Sequence, residues 1–259
     1  MLRRSMSLIG ALAVVAAAVA LEANAADKVP AAVAAAVADA SRPDADKQRD
    51  ADRKPAESVA FAGIKSGDKV VELFPGGGYY TRILSKVVGE KGTVYAVAPP
   101  KRPDAPAGAP DPAAAVTALA ADPGYKNIKV LQQRPSELSV PEKADVVWTS
   151  LNYHDFHNAP NADMKAFNTT IANALKPGGA YIVIDHAAAP GAGATVTSTL
   201  HRIDSATVKE EVESAGFKLD GESDVLRNPA DPRDWNASPK AAAEKRGTSD
   251  RFVLRFVKP

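Results

Sequence analysis

Val70-Val71-Glu72-Leu73-Phe74-Pro75-Gly76-Gly77-Gly78-Tyr79-Tyr80-Thr81 is the stretch that decides the fold: an apolar, β-branched run ends in an acid, turns through three glycines and enters a helix. Glycine lets the backbone approach a ligand closely and adopt positive φ, and the helix beyond it offers unpaired N–H groups to an anion. A carboxylate or a phosphate suits such a place. A tight strand-to-helix turn that binds nothing has the same composition, so the surrounding sequence has to decide.

Outward from the turn, short runs rich in β-branched residues alternate with helix-length segments, the pattern of βα units around a parallel sheet. Strands are predicted at Lys69–Leu73, Thr93–Ala98, Ile128–Gln132, 144–149 and 180–185, and helices near 81–88, 113–121, 163–175 and 205–215. Lys176-Pro177-Gly178-Gly179 reads as a helix stop and a turn. Strands near 217–226 and Arg251–Val257, joined by a proline-rich loop, suit an antiparallel hairpin at one sheet edge. Residues 99–112 hold six prolines and must be a loop at the carboxyl end of the second strand, where open α/β sheets bind ligands; it is a candidate lid or a surface insertion. Residues 44–62 read as one helix over a sheet edge, and the alanine-rich residues 26–43 as a linker or frayed helix outside the domain.

The glycine turn resembles that of the class I S-adenosylmethionine-dependent methyltransferases. Gly89-Glu90-Lys91-Gly92-Thr93-Val94-Tyr95-Ala96-Val97 is similar to that family's approach to its second strand, and Leu175-Lys176-Pro177-Gly178-Gly179-Ala180-Tyr181-Ile182-Val183-Ile184-Asp185 to its fifth. Tyr79-Tyr80-Thr81 and Asn152-Tyr153-His154-Asp155 look like a group of bacterial exported proteins described as predicted methyltransferases. The resemblance implies an α/β, three-layer Rossmann-like fold over residues 44–259, mostly parallel with an antiparallel C-terminal hairpin, and S-adenosylmethionine as cofactor. It implies that Glu72 holds the methionine amino group and that Gly76, Gly77 and Gly78 lie against the methionine and ribose, with Phe74, Pro75, Tyr79, Tyr80, Ala98 and Asn152 also lining the cofactor site. Phe74 and Pro75 depart from the family's glycine pattern. Ala98 stands where many members place an acid that grips the ribose hydroxyls.

Methyl transfer from a sulfonium needs in-line placement more than acid or base groups. Where the acceptor must lose a proton, His154 and Asp155 beyond the fourth strand and Asp185 and His186 at the end of the fifth are the candidate catalytic residues, a histidine serving as base and an acid orienting it. Each also has a plain structural reading, as a loop decoration, a helix cap or an acid bonded to backbone. These four residues are possible metal ligands, but adjacent strand residues face opposite sides, and no metal site is expected. His201-Arg202-Ile203-Asp204 precedes a helix; Arg202 is read as a salt-bridge partner before an anion contact.

Arg3 and Arg4 before the apolar run from Leu8 to Leu21, with Ala23-Asn24-Ala25 after it, predict a signal peptide over residues 1–25, hence an exported, periplasmic protein with no stable membrane insertion after cleavage. Loss of Arg3, Arg4 and Glu22 from 32 basic and 31 acidic residues leaves 30 of each. That neutrality argues against a nucleic-acid partner. The absence of cysteine excludes disulfides, thiolate zinc sites and cysteine nucleophiles, and no Gly-x-Ser-x-Gly or P-loop pattern is present. The expected function is methyl transfer to a small-molecule acceptor; the alternative is a non-enzymatic small-molecule-binding protein that keeps the fold, consistent with Ala98.

Overall fold

A computed structural model describes residues 29–259, so the expected signal peptide lies outside the described residues. In chain order the elements are α1 (Ala31–Val37), α2 (Asp44–Lys47), α3 (Asp50–Arg53), α4 (Pro55–Ala62), β1 (Lys69–Leu73), α5 (Tyr79–Val88), β2 (Thr93–Ala98), α6 (Ala114–Ala121), β3 (Ile128–Gln132), β4 (Ala144–Ser150), α7 (Tyr153–Phe156), α8 (Met164–Ala174), β5 (Leu175–His186), α9 (Thr197–Leu200), α10 (Ser205–Ser214), β6 (Lys218–Ser223) and β7 (Arg251–Val257). One seven-stranded sheet runs in the order β3-β2-β1-β4-β5-β7-β6. The first five strands are parallel and β7 is antiparallel to both its neighbours.

Alternate residues along each strand face opposite sides of a sheet. Val70, Val94, Val146 and Ile182 accordingly meet residues of α1, α4, α5 and α6 in one core. Val71, Tyr95, Val147 and Tyr181 meet α8 and α10 in the other. Because the central strands are covered on both faces, they read as continuous apolar runs.

The expected α/β fold is present, with four local differences. Residues 31–37, read as outside the domain, form a helix whose Val33 and Ala36 are buried in the first core against α5, since even small apolar side chains gain from leaving water when a groove receives them. Residues 44–62 form three helices; α3 gives way to α4 where Lys54 takes φ +41° ahead of Pro55, which cannot continue the hydrogen-bond ladder. Lys176 to Gly179 is a bulge within β5, which pairs with β4 at Leu175 and again from Ala180. The proline-rich 99–112 loop borders neither of the two cavities described below, and the cover over the sheet's carboxyl edge comes from the 224–250 loop and the segment before α4.

Candidate active site

Phe74 leaves β1 with φ +51°, and Gly76 and Gly78 take φ +55° and +82°, so the chain turns sharply into α5. Added Cβ atoms at Gly76 or Gly77 would meet nothing, which marks open space over those two residues. At Gly78 a Cβ would come within 3.0 Å of the Leu119 side chain, so packing as well as the positive φ favours glycine there. The open space is a hollow of about 280 Å³. Glu72 is buried on its wall; its Oε2 and the nearby Thr81 Oγ1 both lack a hydrogen-bond partner among the described residues. Burial pushes the Glu72 carboxyl up to about 7, against the Thr81 hydroxyl and the charges of Arg53 and Arg82.

Three guanidinium groups face this acid's hollow. Arg49, Arg53 and Arg246 border it and also the neighbouring cavity, and none forms an ion pair among the described residues. Arg53 Nε is buried without a partner among the described residues. Burial, then repulsion from Arg53 and Arg246, brings Arg49 down to about 10. The Arg53 guanidinium stacks 4.6 Å from the centre of the Tyr79 ring, whose hydroxyl donates to Asp50 at 2.6 Å, while Tyr80 packs on Trp148.

The neighbouring cavity, about 500 Å³, lies over the ends of β4 and β5. His154 anchors its floor. The His154 ring Nδ1 lies 2.8 Å from Asp185 Oδ1, and its backbone N–H donates to Asp185 Oδ2 at 2.8 Å. Burial pulls the His154 imidazole down, but the charge and hydrogen bond of Asp185, with Asp155, outweigh it and leave the pKa above the ordinary histidine value. Conversely, burial would raise Asp185, and the His154 charge and bond hold it below the ordinary carboxylate value. His186 is different. Burial drives its pKa to about 3, so it is neutral, with Nδ1 2.7 Å from Ser249 Oγ.

The sequence-predicted residues thus divide between two places. Glu72, Phe74, Pro75, Gly76, Gly77, Tyr79 and Tyr80 border the glycine hollow, the two tyrosines as largely buried walls. Asn152 does not: it borders the larger cavity and donates to Leu73 O and Ser150 O, tying β4 to β1. Ala98 is in the core, away from both cavities, because its side of β2 faces α5 and α6. His154, Asp155 and His186 border the larger cavity, and Asp185 stands fully buried behind His154. Arg202 pairs with Asp231 at 2.8 Å inside the protein. His201, Arg49, Arg53 and Arg246 escaped the reading of the sequence, since each lies far along the chain from the motif it faces. The proline- and glycine-free charge run at 44–54 is the only local sign of the first two arginines.

No protein-family model matches this chain, and no curated protein does. Solved structures do match its fold. A SAM-dependent methyltransferase from Aquifex aeolicus is 19% identical with a TM-score of 0.55, over 78% of this chain and 87% of that one. A chain of the Haloferax volcanii Trm112 methyltransferase activator complex is 22% identical with a TM-score of 0.54, over 88% and 97%. The [4+2]-cyclase SpnF is 15% identical with a TM-score of 0.56, over 83% and 81%. By strand order and by these likenesses, the chain has the Rossmann-like fold of the class I methyltransferases.

Proposed function

We propose that the protein binds S-adenosylmethionine with its methionine end in the glycine hollow and transfers the methyl group to a small molecule in the adjoining cavity. One observation carries this: a buried carboxyl and three guanidinium groups, the carboxyl with an unpartnered oxygen and the guanidiniums without an ion pair among the described residues, border the same small space. An α-amino acid group, ammonium at one end and carboxylate at the other, complements that pair of charges. The open backbone at Gly76 and Gly77 leaves room for it. Ligand pockets run from about 300 to 1,000 Å³. The two cavities, of about 280 and 500 Å³, share Phe74, Ser150 and the arginines, so the cofactor's remainder and an acceptor have space between them.

When bound, the cofactor supplies a carbon already activated by its sulfonium. The protein's task is then alignment and exclusion of water. Phe74, stacked on Phe156 at 5.2 Å, forms the apolar border between the two spaces. His154 borders the acceptor space and Asp185 holds its ring at Nδ1, which leaves Nε2 to take a proton from a hydroxyl or ammonium acceptor. The arginines favour an acceptor with negative charge.

Calorimetric titration of the purified protein with S-adenosylmethionine and S-adenosylhomocysteine tests this reading. A saturable heat at one ligand per chain, weakened at least about tenfold by Glu72→Gln, is expected; tenfold corresponds to about 1.4 kcal/mol. Silence from a folded protein overturns it and leaves the second reading, a small-molecule-binding protein that keeps the fold. That reading, a non-enzymatic one, is favoured by buried Ala98, which offers the ribose no polar side-chain atom. The apolar Leu8–Leu21 run supports an exported location, which mass spectrometry of the mature N-terminus tests.

A further inference from the structure

Three donor atoms meet at the His154 end of the larger cavity. His154 Nε2 is 3.2 Å from His201 Nδ1 and 3.3 Å from Asp155 Oδ1, and the last two are 3.5 Å apart. In a neutral His154 ring, the bond to Asp185 uses the single N–H, so Nε2 presents a lone pair to a carboxylate oxygen and a second imidazole nitrogen. A proton placed among the three bonds only one pair of them. A cation satisfies all three together.

The dimensions are those of a tetrahedral ion. A triangle with edges of 3.2, 3.3 and 3.5 Å has its centre about 1.9 Å from each corner, so an ion at the usual zinc–nitrogen distance of about 2.05 Å stands roughly 0.7 Å out of the plane. An ideal tetrahedral centre stands one third of its bond length, again roughly 0.7 Å, from the plane of three of its ligands.

The surroundings hold these donors in place. His201 takes φ +50°, a conformation that costs a non-glycine residue energy and persists where the surrounding structure enforces it. Arg202 does so: it is fully buried and bonds Asp231, Ala187 O and Trp235 O. Leu151 at φ +62° turns the chain out of β4, so His154 and Asp155 sit on the short helix α7 and the alternation of a strand, which argued against convergence, does not apply. Asp185 grips His154 by both ring and backbone, as carboxylates behind ligating histidines do.

We propose that His154, Asp155 and His201 bind one divalent transition-metal ion of the zinc class, with Asp185 as a positioning residue and a fourth coordination position open to the cavity. All three ligands border that cavity, whose Arg49, Arg53 and Arg246 suit an anionic oxygen donor, a carboxylate or phosphate, at the open position. The proposal does not depend on what occupies the glycine hollow. Ion binding and general-base action compete for the same His154 lone pair, and with the ion present the activation of an acceptor passes to the metal.

Chelator-treated protein is titrated with zinc by calorimetry and with cobalt by visible absorption. One ion per chain and the intense bands of tetrahedral Co²⁺ are expected. His201→Ala and Asp155→Asn, both at partly exposed positions, are each expected to weaken zinc by more than the about 10- to 100-fold that follows loss of a group merely supporting a ligand. His157→Ala, whose ring bonds Glu211 outside the cluster, is expected to bind zinc as the unaltered protein does. Failure of the folded, unaltered protein to take up zinc, or equal affinity after both substitutions, overturns the proposal, and neither result bears on the cofactor titration.

Discussion

Glu72 shows how one side chain can be costly to the fold and useful to a site. It lies in the middle of the sheet, opposite Trp148 on β4, with an Oε2 that has no hydrogen-bond partner among the described residues. A carboxyl whose folded pKa is about 7, above its ordinary 4.5, keeps its proton in the folded state over a range where the unfolded chain has lost it. Stability is therefore unaffected by this group below about 4.5, falls as the pH rises toward 7 and stays reduced above that, by roughly 3 kcal/mol. Urea midpoints measured from about pH 5 to about pH 8 should decline along that course, and the Glu72-dependent part of the slope should vanish in Glu72→Gln. The groups facing it, Thr81, Arg53 and Arg82, already favour the charged form. A ligand ammonium at Oε2 would add to them and lower the pKa, so its binding near pH 6 should release protons, seen as a dependence of the heat on buffer ionisation.

Among the elements, β5 joins two functions that its residues keep separate. Its middle, Tyr181 to Ile184, is core; its carboxyl end sets His186 at the cavity and Asp185 behind His154. Its amino end is bulged, and Gly179 is required there. A Cβ on Gly179 would stand 2.9 Å from Lys176 O and 3.2 Å from Asp145 O, both backbone atoms that cannot turn aside. Gly179→Ala is expected to cost about 1–3 kcal/mol in chemical unfolding with the far end of the strand, and any ligand or zinc binding, unchanged at temperatures where the protein remains folded. Equal stability of the two proteins would show that the bulge yields.

At the scale of the molecule, the N-terminal segment is part of the domain it precedes. Val33 and Ala36 fill a core groove, and Arg42, almost wholly buried, forms a bidentate pair with Asp50, the acid that receives the Tyr79 hydroxyl. A protein starting at Asp44, where composition alone would place the boundary, exposes that groove and leaves Asp50 without its arginine. Its thermal midpoint should fall by at least about 5 °C against a protein starting at Val29, since each kcal/mol is worth about 2–4 °C in a domain of this size. Because Asp50, Arg49 and Arg53 belong to the same segment, the loss should reach the glycine hollow as well.

The sequence by itself determined the architecture: the alternation of β-branched runs with helical segments set the parallel strands, and the glycines at 76–78 and the Leu175–Asp185 run marked where the sheet's carboxyl edge lies. It also brought forward Glu72, His154 and Asp185, because they stand at or just past strand ends, where an open α/β sheet exposes side chains to a ligand. Tertiary structure alone decided that Asp185 meets His154, that His201 joins them, and that Arg49, Arg53 and Arg246 gather across from Glu72. The physical reason is range: hydrophobic periodicity and turn chemistry act over a few residues and leave a repeating signature. The convergence of side chains from residues 49, 154, 201 and 246 depends instead on how separate loops close over one sheet edge, and no local pattern along the chain records that.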